Sequence, residues 1–316
     1  MQSLSSFLDY INPFSSITNN PGGNQTNNTN EINTIAISKH IFGRSFDSYS
    51  QLPYHSDIWK VIFSNFNFSD LLNSCSLSVE CYKLANDPVL SKIAIYRDFC
   101  FNPSDWNKFF GEGSVSNDEM EKAFDALPKN INEILKSPCP AFPGKRIMDT
   151  HMLVWIPESV KDKPLTIDSF GLLMKQQPEF SSNPEGYQYV SNEVVQGIGS
   201  DSIKSGWVLM TTDNIPDSRS KSFSDQQELI KKLNKDGKTD YRLPHAGEAI
   251  VSIYAKYLKS GTKKRLFSNK PWTCTRCQEN IRGSQVVVGG FALSGLFVRK
   301  NFYVSGNFGV AGLRKF

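Results

Sequence analysis

At 316 residues, with 39% apolar and 12% aromatic side chains, the chain is too hydrophobic to be intrinsically disordered and long enough for two domains and a tail. It has no run near the eighteen or so consecutive apolar residues of a membrane helix, and Asp9 interrupts what would be the apolar core of a secretory signal. Six scattered cysteines are too few and too irregular for a disulfide framework, so a reducing compartment is expected. The net charge of +4 is unevenly placed, with 19 Lys and Arg against 8 Asp and Glu from Trp207 to Phe316. That excess permits an acidic partner, but the lysine clusters fit solvated helix ends and loops. Without basic–aromatic interleaving, no nucleic-acid partner is expected.

Residues 1–50 pass through an Asn-rich tract, including Asn19-Asn20-Pro21-Gly22-Gly23-Asn24, that cannot bury enough area to order itself. They read as a flexible Asn/Ser-rich arm of a composition that would also suit a bacterial injection signal. From Leu52 to Phe99 the chain changes to short helical patterns. Ser56 can cap a helix whose apolar positions are Ile58, Val61, Ile62 and Phe66. Ser69 and Asp70 open a second helix, and Asp87-Pro88 reads as a helix start with proline in the first position. About fifty residues of short helices are at the lower edge of independent folding, so apolar surface is left over for a neighbour or partner.

The order Leu52-Pro53, Ile58, Ile62-Phe63, Phe68-Ser69-Asp70-Leu71, Cys81-Tyr82-Lys83-Leu84-Ala85 and Asp87-Pro88-Val89-Leu90 resembles the F-box. In that family this helical module docks substrate receptors on the Skp-type adaptor of cullin-RING ubiquitin ligases. The resemblance implies adaptor-facing roles for Leu52, Pro53, Ile58, Phe63, Leu71 and Leu72, with Tyr82 and Leu90 as weaker matches. Tyr82 stands where the family usually has Trp, and Ser91 where Leu-Trp is usual.

Beyond Phe99, Trp106 to Gly111 forms an aromatic amphipathic turn, and Met120 to Leu135 has helical spacing. Pro138, Pro140 and Pro143 then break the chain, which places a domain boundary there. The expected organisation is an arm over 1–50, an F-box-like helical module over 51–100, a helical linker over 101–143 and a carboxyl domain over 144–316. In that domain His151–Pro157 and Gly206–Thr212 read as strands. Thr166 caps a helix through Met174, a capping box at Ser224 to Gln227 starts another, and His245–Lys259 forms a third with Ile250, Ile253, Tyr254, Tyr257 and Leu258 on one stripe. The stretch 178–189 reads as a loop. Late runs at Thr273–Cys277, Gln285–Phe291, Leu296–Val298 and Gly309–Arg314, separated by glycines, read as short antiparallel strands. The fold class is α+β: a small all-α module followed by a mixed α+β domain with an antiparallel sheet.

Cys274 and Cys277 have the spacing of half a zinc site, but no second pair lies within range, so neither a metal nor a cofactor is expected. The histidines are without a recognisable nucleophile elbow, so catalytic residues are not assigned. Arg242, His245, Glu248 and Arg276 are the polar groups that could converge in a pocket. Tyr241-Arg242-Leu243-Pro244, Glu248, Gly312 and Arg314 also resemble, over a short span, the C-type-lectin-like fold of sulfatase-modifying-factor domains. That resemblance implies a fold and a binding role, because Cys274 and Cys277 do not reproduce the paired cysteines of that family's oxidase chemistry.

The Asn-rich arm, the F-box-like order and the blocks at 137–157, 207–222 and 269–279 together resemble F-box-containing proteins of chlamydiae that live in amoebae. This resemblance implies a cytoplasmic effector, delivered into a host cell, that binds a Skp-type adaptor and presents an unidentified target for ubiquitination. The alternatives are an enzyme built on the carboxyl domain and a non-catalytic ligand-binding domain with a packed helical appendage.

Overall fold

The computed structural model describes residues 88–316, except 184, 261–263, 269, 293–294 and 302. Leu52, Pro53, Ile58, Phe63, Leu71, Leu72 and Tyr82 lie outside the described residues, as does the amino-terminal arm. Contacts divide the chain into Met1–Ala85 and Asn86–Phe316, and the second unit is described by itself. Within it, helices and sheets are intermingled, so the class is α+β.

The proline cluster at 138–143 is not where the contacts divide the chain, for a physical reason. Helix α1 (Pro88–Ala94) leads into α2 (Pro103–Phe110), α3 (Asn117–Ala126) and α4 (Ile131–Lys136); α1 packs on α4, α3 on the strand Gly206–Thr211, and Trp106 and Phe110 of α2 enter the core shared with the strands. The indole N–H of Trp106 on α2 donates to the carbonyl of Trp155 at 2.9 Å, and that of Trp207 donates to the α3 carbonyl of Ala123 at 2.7 Å. Phe101 pairs with strand β1 (His151–Ile156) in parallel. All three tryptophans are fully buried, so each indole N–H must find its acceptor inside the protein.

Two sheets carry the unit. In the first, β5 (Gly206–Thr211) lies between β1 and β10 (Leu313–Lys315), antiparallel to both. Every residue of β1 and β5 is buried, the pattern of strands covered on both faces. Ser159–Val160 and Lys163–Pro164, β2 and β3, form a separate small hairpin. The second sheet has five strands in the order β4-β8-β7-β6-β9, comprising β4 (Tyr189–Val190), β6 (Cys274–Ile281), β7 (Ser284–Ala292), β8 (Gly295–Asn301) and β9 (Phe308–Gly309).

The β6-β7-β8 meander is antiparallel, whereas β4 joins β8 and β9 joins β6 in parallel. The stretch predicted as one strand from Gly309 to Arg314 therefore splits between the sheets. Phe308–Gly309 pairs with β6 and Leu313–Lys315 with β5, so the chain passes from one layer to the other through Val310 to Gly312. The 178–189 stretch, read as a loop, contributes a 3-10 turn and ends in β4.

Three further helices complete the unit: α5 (Ile167–Lys175), α6 (Phe223–Gly237) and α7 (Ala246–Lys259). Thr166 caps α5 as expected, its hydroxyl accepting from the Ser169 N–H at 3.0 Å. On α6 the cap is Ser222 rather than Ser224, because Asp225 in the third position returns a bond to the Ser222 N–H and closes a reciprocal pair. α7 packs on β1 and β5 of one sheet and on β6 and β7 of the other. Its stripe of Ile250, Ile253 and Tyr254 is buried in the single large core. Fully burying such side chains contributes roughly 1.5–3 kcal/mol each, which makes α7 the hinge between the layers. No described helix is long and apolar enough to cross a membrane.

Candidate functional site

The amino-terminal end of α7 sits at a cavity of about 160 Å³. One wall is apolar, formed by Ile167, Ile198 and Ile203. The other carries Asp201, Ser202, Lys204, His245, Glu248 and Glu279. The arrangement follows from how α7 begins. A helix start exposes unpaired backbone N–H groups and a positive dipole end. Here the cap residue is His245, and β6 delivers a carboxylate: Glu279 accepts the Ala246 N–H at 2.9 Å and His245 Nδ1 at 2.9 Å. Glu248, one turn into the helix, reaches back to accept the His245 N–H at 2.9 Å.

Glu248 is only 1% exposed and is held by a two-pronged ion pair in which Arg242 donates to its carboxylate oxygens at 2.8 and 2.6 Å. Burial pushes the Glu248 carboxyl up, but the hydrogen bonds and charge of Arg242 and the His245 backbone outweigh it and hold the group below the usual range. Arg242 is itself fixed, because its backbone bridges Leu313 and its guanidinium donates to the Leu243 carbonyl. Burial lowers the nearby Lys315 ammonium, with Glu248 opposing that effect.

Arg242, His245 and Glu248 are therefore brought together. Arg276 is not. Its β6 position points to the opposite face of the sheet, where Nη1 donates to Lys221 O and Gln226 Oε1 at 2.9 Å and Nη2 to Tyr303 O at 2.8 Å. It clamps the start of α6 onto the sheet, a structural role for a buried guanidinium. Leu90, the last of the adaptor-facing matches, lies in α1.

Sequence reasoning missed Glu279, and with it Asp201, Ser202 and Lys204. One signal was available: α7 begins without Ser, Thr, Asp or Asn at its cap, so its amino end needed a carboxylate from elsewhere in the chain.

Chemically, His245 and Glu279 form a carboxylate-oriented imidazole on a half-polar cavity, a pairing that can hold or move a proton. Ser202 lines the same cavity, but no hydrogen bond among the described residues joins its hydroxyl to the imidazole. Among the described residues no group of three His, Cys, Asp or Glu side chains is placed to hold a metal ion. Cys274 and Cys277 point to opposite faces of β6, as residues three apart on a strand must: Cys277 lies in the main core and Cys274 in a small cluster with Val287 and Phe308.

Comparisons with protein-family models, with curated proteins and with solved structures found no match.

Proposed function

We propose that the protein is an F-box-type adaptor: residues 52–99 dock on a Skp-type adaptor of a cullin-RING ubiquitin ligase, and the carboxyl domain selects what is presented. The observation that carries this reading is the ordered pattern from Leu52-Pro53 to Asp87-Pro88-Val89-Leu90, whose last residues, Pro88 to Leu90, lie in helix α1. The chain divides between Ala85 and Asn86, inside this pattern, so its last residues belong to the carboxyl-terminal contact unit. The resemblance to proteins of amoeba-associated chlamydiae extends the proposal to an effector acting in a host cytoplasm. The likeness of 241–248 and 312–314 to C-type-lectin-like domains accords with a binding role for the carboxyl unit. These two segments meet at the Arg242–Leu313 bridge.

The test is co-elution of the purified chain with a Skp-type adaptor on size exclusion. A complex lost on combining Leu52→Ala with Leu71→Ala is expected. No complex, or one indifferent to those changes, overturns the proposal.

The His245–Glu279 pair favours a second reading, a ligand-binding or catalytic cleft in the carboxyl unit. Binding is the better match of the two, since Arg242 and Glu248 neutralise each other and Arg276 is used elsewhere.

A further inference from the structure

The five-stranded sheet has a second face, turned away from α7. Across it the register aligns one row, strand by strand: Tyr189 opposite Phe297, Phe297 opposite Gly289, Gly289 opposite Cys274, and Cys274 opposite Phe308. At its centre the row has glycine, and Gly290 beside it lies so close to the Trp272 indole that any β-carbon would collide with the ring. Gly290 therefore makes a seat for Trp272, which meets Phe297 edge-on at 5.6 Å, while Phe297 meets Tyr189 at 6.2 Å. The result is a continuous aromatic ridge over three strands.

The next row on this face is Arg299, Val287 and Arg276. Arg276 holds the Tyr303 carbonyl, which places Tyr303 and Val304 at the rim. Among the described residues four large apolar side chains are exposed, and three of them border this face: Tyr189 at 48%, Tyr303 at 72% and Val304 at 58%. Concentration of exposed apolar groups on one face marks an interaction surface.

Two guanidiniums flank the ridge. Arg299 is exposed, lies over the Phe308 ring at 5.8 Å, and has no carboxylate partner among the described ion pairs. Arg219 donates to the Thr273 hydroxyl at 2.7 Å and to the Gly306 carbonyl, with Asp213 at 3.5 Å. Aromatic side chains with arginine are the composition of protein-interface hot spots. The rings meet at 71° and 37° rather than parallel, which makes a relief of ridges and notches suited to side chains rather than a stack of open faces suited to bases.

We propose that this face, the Tyr189–Phe297–Trp272 ridge with Arg299 and Arg219, docks an extended acidic segment of a partner polypeptide with apolar residues between its carboxylates. The proposal deepens the adaptor reading, on which it rests only for naming that partner as the ubiquitination target. Alternate side chains of an extended segment point the same way, so an apolar residue and a carboxylate two positions apart face the sheet together, the first against the rings and the second at the guanidiniums.

The test uses the full chain and a labelled peptide of about a dozen residues repeating Leu-Ser-Glu-Ser, which puts leucine and glutamate on one face, read by anisotropy and by Trp emission. The same peptide with lysine in place of glutamate and an oligothymidylate of similar length serve as comparisons. Saturable binding of the acidic peptide is expected, weakened at least about tenfold by Arg299→Glu and by Tyr189→Ala. Leu172→Ala, at an exposed apolar site elsewhere, should leave it unchanged, with circular dichroism and melting preserved in all three. Equal binding by Arg299→Glu, no saturable binding, or binding of the oligothymidylate alone overturns the proposal. Co-elution with the Skp-type adaptor is measured on the same preparations. Peptide binding without a Skp complex retains the surface and removes the adaptor reading, and a Skp complex without peptide binding does the reverse.

Discussion

His151 is a charged residue's position filled by a neutral ring. It is 4% exposed, and its two nitrogens are occupied: Nδ1 by Thr150 Oγ1 and the Ile147 carbonyl, and Nε2 by the Tyr241 hydroxyl at 2.9 Å. The partners suit a neutral imidazole with Nδ1–H donating to Ile147 O and Tyr241 donating to Nε2. Burial pushes its pKa down to about 4, against an ordinary 6.5, with the Ile147 carbonyl opposing. Between those values the unfolded chain binds a proton that the folded one refuses, so stability is full above the ordinary value and is lost as pH falls toward 4. The expected loss is on the order of 2 kcal/mol between about pH 7.5 and about pH 5, measured as a fall in the urea midpoint. Glu248, whose carboxyl is lowered, loses its contribution only further down, as pH drops through the carboxylate range. His151→Gln should therefore flatten the upper part of the profile and leave the lower part. An unchanged upper slope would show that His151 does not set it.

At the scale of the elements, Gly290 of β7 places Trp272. Gly289 and Gly290 have φ of 152° and 58°, the second in the left-handed region where a side chain is strained, and the register of β7 with β8 shifts between Gly289 and Ala292. Gly290→Ala should cost about 1–3 kcal/mol from strain and overpacking and should expel the indole. A red-shifted Trp emission together with a lower melting temperature is expected, and an unshifted spectrum would contradict the seat. The sequence pattern marked these glycines only as turn residues. Periodicity made α7 legible, continuous apolar runs revealed β1 and β5, and a capping residue marked the start of α5. It could not show that Phe308–Gly309 and Leu313–Lys315 belong to different sheets, because two-residue and three-residue strands carry no repeat. Nor could it pair Glu279 with His245, since that contact spans 34 positions and depends on where β6 lies beside α7. Residue type grouped Arg242, His245, Glu248 and Arg276, and spacing could not separate the three that meet at the start of α7 from Arg276.

For the molecule as a whole, the folding unit is longer than the proline cluster suggested. Phe101, Trp106 and Phe110 are buried in the same core as β1, β5 and α7. Each contributes roughly 1.5–3 kcal/mol, and together they are comparable with the 5–15 kcal/mol stability of an entire domain. A fragment comprising Asn86–Phe316 should melt in one cooperative transition, and one beginning at Gly144 should not fold. A cooperative melt of the shorter piece, by circular dichroism and calorimetry, would return the boundary to the prolines.

The central position of β5 has a consequence for biosynthesis. Met210 pairs with Met152 on one side and with Leu313 on the other, so the middle strand is flanked by one neighbour made before it and one made about a hundred residues later. While the ribosome is still adding those residues, β5 has one bare edge, and the apolar stripe of α7 awaits β6 and β7. The first sheet therefore closes only after β6 to β9 have been made, so its order of assembly follows synthesis rather than the order of its strands in space.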